Sequence, residues 1–115
     1  MGNDLPLRYE YLLKWEEISA KIANAVRKLL PDAQVGVFGS IITGEFTGAS
    51  DIDLIIVSKH IPKKALDRAE LELKILELAG IPDEVPVEIH FATPEELERW
   101  WLRALKVRIK WLMKK

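Results

Sequence analysis

A chain of 115 residues, 49% apolar and 30% charged with a net charge of −1, has the size and balance of one globular domain, residues 1–115. It lacks the basic excess that drives non-specific nucleic-acid binding, and with no cysteine it has neither a disulfide framework nor a thiolate metal site. No apolar run reaches the roughly 20 residues a membrane span needs, and the N-terminus lacks a basic segment leading into an apolar one. These features point to a cytoplasmic protein without membrane contact. Asn, Gln and Met are scarce beside Glu and Lys, a bias associated with thermophiles.

Along the chain, Tyr11, Trp15, Ile18, Ile22, Val26 and Leu29 recur at spacings of three and four. This predicts an amphipathic helix from about Leu7 to Leu30, ended by Pro31-Asp32. Gln34 to Phe38 is a short strand. Gly39-Ser40 then turns the chain into a brief helical segment, Ser40 to Thr43, before a glycine-punctuated polar loop. Ile52 to Val57 is a nearly unbroken β-branched run, suited to a strand covered on both faces. Pro62 introduces a helix from about Lys63 to Ala79, with Gly80 as its C-cap. In the third strand, Val85 to Phe91, apolar residues alternate with Pro86, Glu88 and His90. Thr93-Pro94-Glu95-Glu96 is a strong helix start, and the last helix is expected to run nearly to the end. The order is α-β-α-β-α-β-α, an α/β sandwich on a small sheet.

Chemistry concentrates in GSIITGEFTGASDIDLIIV. Asp51 and Asp53 flank Ile52, so on a strand their side chains would leave one face while Ile52 enters the core. Two such carboxylates can hold one or two hard divalent cations, and a two-ion site stabilises both oxygens of an in-line phosphoryl displacement. Glu88, on the polar face of the third strand, is the candidate third acid. Gly39 lets the backbone approach a ligand closely, and Ser40 adds a hydroxyl at a helix start, where free N–H groups favour an anion.

Gly39-Ser40 followed by Asp51-Ile52-Asp53 and a hydrophobic strand resembles the signature of the DNA polymerase beta nucleotidyltransferase superfamily, in its minimal nucleotidyltransferase, antitoxin-like branch. The resemblance covers nearly the whole chain, because Glu88 falls where the family places its third acid. It implies a nucleotidyltransferase fold, a small mixed sheet flanked by helices. It also implies a magnesium-bound NTP, with ATP as the expected nucleotide, and transfer of a nucleoside monophosphate to a hydroxyl with release of pyrophosphate. Carried over, Asp51, Asp53 and Glu88 would be catalytic and metal-binding, and Gly39 and Ser40 nucleotide-binding. Two departures stand out. Ile41-Ile42-Thr43 replaces the basic or aromatic residue common after Gly-Ser, and no Lys or Arg lies between Val35 and Val57. The third acid is Glu where Asp is frequent.

The C-terminal segment suggests a partner. On a helix, Leu97, Trp101, Leu105, Ile109 and Leu112 would form one apolar stripe, and Trp100, Ala104, Val107 and Trp111 a second. One stripe would serve the core; the other is either an interface anchored by tryptophans, with a homodimer or a small helical protein as occupant, or more of the core, with the cations of the segment complementing the helix C-terminus. The core-like spacing of the aromatics argues against nucleic acid. Minimal nucleotidyltransferases resemble antitoxins paired with helical toxins of the HEPN type, where the implied reaction is adenylylation of the toxin. The missing local cation leaves a second reading open: a catalytically weak module that neutralises its partner by contact.

Overall fold

In the computed structural model the described residues are 4–101 and 108–113. The N-terminal amphipathic run forms two helices, α1 (Asp4–Leu13) and α2 (Trp15–Leu29), where the periodicity predicted one. Lys14 breaks the run: its backbone sits at φ −98°, ψ 20°, and its N–H is shared between the carbonyls of Glu10 and Tyr11. The stripe is buried where α2 lies on the sheet, with Ile18, Ile22 and Val26 in the core. Leu29, in the last turn, stays partly exposed.

Three further elements follow the expected bounds closely: β1 (Gln34–Phe38), α3 (Ser40–Thr43) and β2 (Ile52–Val57). The next helix, α4 (Ala65–Ala79), ends at Gly80. There φ is +71°, and the N–H groups of Gly80 and Ile81 close back on Glu77 and Leu76. Strand β3 spans Val87–Ala92. The predicted start after it is present as a capping box. The Thr93 side chain accepts from the Glu96 N–H while Glu96 accepts from the Thr93 N–H. The helix is short, however. After α5 (Pro94–Glu96) the chain winds into a π-helical turn, Leu97–Trp101.

The C-terminal segment corrects the expectation of a long last helix. Lys110–Met113 is a strand, β4, paired antiparallel with β1. An apolar run this short satisfies either period. Here the strand period wins because β1 offers an unpaired edge and Ile109 and Trp111 alternate with Lys110 and Leu112. Residues 102–107, which carry the middle of both proposed stripes, lie outside the described residues. Trp111 therefore does not share a helix face with Trp100. It is half-buried against the sheet, and Gly36 on β1 makes room for it, since a Cβ at that position would collide with Ile109 and meet the Trp111 ring at 3.0 Å.

The sheet order is β3-β2-β1-β4, with β2 and β3 parallel and the other neighbours antiparallel. This is the mixed sheet flanked by helices that the sequence led us to expect, with a fourth strand added. One face carries the main core: Val35, Val37, Ile52, Leu54, Ile56, Ile89 and Phe91 pack with Ile22 and Val26 of α2 and Ile75 of α4. Each fully buried aliphatic side chain contributes roughly 1.5–3 kcal/mol by leaving water. The other face holds a smaller cluster of Phe38, Ile55, Val57 and Ala92, covered by Leu97, Ile109 and Trp111. Strand alternation puts Asp53 on the face of Ile55, and Glu88 and His90 on the face of Ala92. The polar residues thus occupy the stretch of the second face that the apolar cover leaves open.

Candidate active site

Sheet register builds the centre of the site. The antiparallel β1–β2 pairing sets Phe38 opposite Asp53, and the parallel β2–β3 pairing sets Asp53 beside Glu88. Two residues from distant parts of the sequence are thereby cross-strand neighbours on one face. His90 follows two places along β3. Its Nε2 lies 3.6 Å from Glu88 Oε1, and its ring sits against Phe38 with centroids 5.5 Å apart. One ligand atom from each of Asp53, Glu88 and His90 falls within 4.8 Å of the others.

Gly39 joins this cluster to the phosphate turn. Its φ is +84°, a conformation side chains rarely adopt, and a Cβ built on it would stand 2.6 Å from Asp53 Oδ2. Both the backbone and the space demand glycine here. The following turn is tight. The Gly39 carbonyl accepts from the N–H groups of Ile42 and Thr43, the Ser40 carbonyl accepts from those of Gly44 and Glu45, and Gly44 closes α3 at φ +80°. Ile41 is buried and ties α3 to the core. Ser40, only partly covered, begins the helical turn, whose leading N–H groups have no acceptor within it.

Electrostatics follow from this crowding. Burial first, then the charges of Glu88 and Asp51, push the Asp53 carboxyl up to about 6. Glu72 on α4 is also raised, again by burial and then by Glu88. Carboxylates this close resist ionising together, and a divalent cation among them would remove the penalty. The donor set fits such an ion: carboxylate oxygens suit Mg²⁺ or Mn²⁺, and an imidazole nitrogen also serves softer divalent ions.

Asp51 departs from the picture of two equivalent aspartates on one strand. It precedes β2, and its Oδ1 accepts a hydrogen bond of 2.6 Å from Arg8 Nη2. The same nitrogen donates to the Ser50 carbonyl at 2.9 Å. Of the residues expected from the sequence, Gly39, Ser40, Asp51, Asp53 and Glu88 all lie at this end of the sheet. Asp53 and Glu88 meet in the metal-like cluster, while Asp51 stands beside them, paired with Arg8. Sequence reasoning missed His90 and Arg8. His90 carried a usable signal, since it shares the polar alternation of Glu88. Arg8 carried none, being 43 positions from its partner.

The family model for the nucleotidyltransferase domain matches residues 19–115. Among solved structures, the chain is similar to a crystal structure from Sulfolobus solfataricus that bears a provisional nucleotidyltransferase assignment. The TM-score is 0.62 at 21% identity, and the match covers 95% of this chain and 87% of the other. At that identity the likeness concerns the fold.

Proposed function

The chain belongs to the nucleotidyltransferase domain family, and on that footing we propose that it transfers AMP from ATP to a protein hydroxyl with the help of a divalent cation. The observation that carries this reading is the meeting of Gly39, Asp53 and Glu88: Asp53 fills the space a side chain on Gly39 would need and is in register with Glu88 on the neighbouring strand.

Asp53 and Glu88, with Asp51 alongside, would hold Mg²⁺, and His90 is within reach of the same position. The ion would supply charge neutralisation on the phosphates and make the attacking hydroxyl more acidic. Gly39 and Ser40 would seat the triphosphate by close backbone approach and N–H donation. In the transfer, the acceptor oxygen bonds to the α-phosphorus, the bond from that phosphorus to the β-phosphate oxygen breaks, and pyrophosphate departs. Glu88, the more exposed carboxylate of the cluster, would take the proton from the acceptor hydroxyl. Asp53, held between Gly39 and Glu88, positions the reacting phosphate.

For the acceptor we infer a small helical protein, of the kind implied by the antitoxin resemblance. Helix α4 supports a protein partner, with Leu66 and Leu73 exposed by 72% and 63% on one outward face. An open groove of about 380 Å³ lined by Arg68 and Glu72 of that helix extends to His90, the neighbour of Glu88. The alternative of neutralisation by contact alone draws on the absence of a cation between Val35 and Val57.

Incubation with labelled ATP, Mn²⁺ and a cell lysate should label a protein band with the wild type and not with Asp53→Asn/Glu88→Gln. Equal labelling by both would remove the site assignment. If the double variant labels nothing yet still neutralises a toxin, contact rather than transfer is the function.

A further inference from the structure

A triphosphate carries several negative charges, yet the segment bearing the phosphate turn and both aspartates contains no Lys or Arg. Among the described residues, a guanidinium reaches this segment from α1, which precedes the residues matched by the family model. Arg8 reaches Asp51 Oδ1 at 2.6 Å and the carbonyls of Ser50 and Ala49 at 2.9 and 3.5 Å, in each case through Nη2. Among the described residues its bonding runs through that one nitrogen, so Nη1 and Nε retain donors. Asp51 is likewise engaged by Arg8 at Oδ1 alone, which leaves Oδ2 for another ligand.

This geometry differs from that of a plug. An arginine that sealed a carboxylate would set its fork across both oxygens, the arrangement of strong bidentate pairs. Here the bond is single, the Arg8 side chain keeps 31% of its surface exposed, and a cleft of about 280 Å³ opens beside it between Leu7, Tyr11 and Glu84. Helix α1 is also fixed to the active-site loop by a second contact, the Tyr9 ring packing on Phe46 with centroids 5.7 Å apart. The cation is therefore presented next to the catalytic acids by a docked helix.

We propose that Arg8 is a triphosphate-binding residue, fixing Asp51 through Nη2 and offering the rest of its guanidinium to the nucleotide phosphates. The inference rests on the nucleotidyl-transfer reading of the site. It explains how the chain dispenses with a basic residue after Gly39-Ser40. A planar fork suits the role because it can serve a carboxylate and a phosphate at once, which a lysine ammonium does less well.

The test is equilibrium binding of ATP and of adenosine to the full chain in the presence of Mn²⁺, with thermal melts as a folding check. Arg8→Gln should weaken ATP about tenfold while leaving adenosine unchanged, and Arg8→Lys should recover part of the loss. ATP binding by Arg8→Gln as tight as the wild type, or tighter, overturns the proposal and leaves the transfer reading standing. Equal losses for ATP and adenosine, in either variant, make Arg8 a structural residue and also overturn it. A wild type that binds no ATP removes both readings together. Should Arg8→Gln fail to fold, the ATP-to-adenosine comparison in Arg8→Lys decides the question by itself.

Discussion

At the residue scale, Ser19 shows what the core tolerates. It lies on the buried face of α2 with no exposure, and its hydroxyl has no hydrogen-bond partner among the described residues. An unsatisfied buried hydroxyl costs about 1–3 kcal/mol, and alanine is the better helix former. Ser19→Ala is accordingly expected to stabilise the fold by about 1 kcal/mol in urea unfolding. An unchanged or lower midpoint would mean that the hydroxyl is satisfied in solution. Gly39 is the opposite case. Its missing side chain is a requirement, because Asp53 occupies the space a methyl group would take.

Among the elements, the turn entering β1 and the exit from β2 are tied together by one carboxylate. Asp32 accepts from the Ser58 hydroxyl at 2.7 Å and from the Lys59 N–H at 2.9 Å. The Ser58 hydrogen bond is the main reason its carboxyl titrates below the ordinary 3.8. The folded value is depressed, so the stabilisation is fully present above pH 3.8 and is lost as acid titrates the group through its folded value. Asp32→Asn should unfold more easily at neutral pH and show a shallower loss of stability below about pH 4. A slope identical to the wild type would show that Asp32 is not involved in the acid transition.

The same scale shows what could be read in advance. β2 was legible because a β-branched run buried on both faces has no helical alternative. Asp53 and Glu88 were legible because each sits at a polar position beside such a run. The C-terminal strand was not, since the residues from Leu97 onward fit a helical stripe as well as an alternating strand. Only the free edge of β1 decides between them. Nor was the break at Lys14 visible, as no glycine or proline marks it. That break separates α1 from α2, and α1 is the element that brings Arg8 to the acids.

For the molecule as a whole, the concentration of acids at one end of the sheet makes a cation-dependent stability the natural expectation. A ligand that binds only the folded state stabilises it by about 2.7 kcal/mol at a concentration of 100 Kd. Mn²⁺ should therefore raise the Tm of the wild type. Asp53→Asn/Glu88→Gln should melt at a higher temperature than the ion-free wild type, having lost the repulsion, and respond little to Mn²⁺. An equal Mn²⁺ shift in both proteins would place the ion elsewhere.

The pairing of Phe38 with Asp53 has a consequence for how the chain could be rewired. The two halves of the site are aligned by hydrogen bonds between β1 and β2, and the covalent path through Gly44, Phe46 and Gly48, though it docks α1, does not set that alignment. Doubling the length of a flexible connection costs only about 0.6 kcal/mol in closure entropy. A circular permutant with new termini near Gly44 would thus retain the Gly39–Asp53 alignment, because strand register rather than sequence spacing measures that distance.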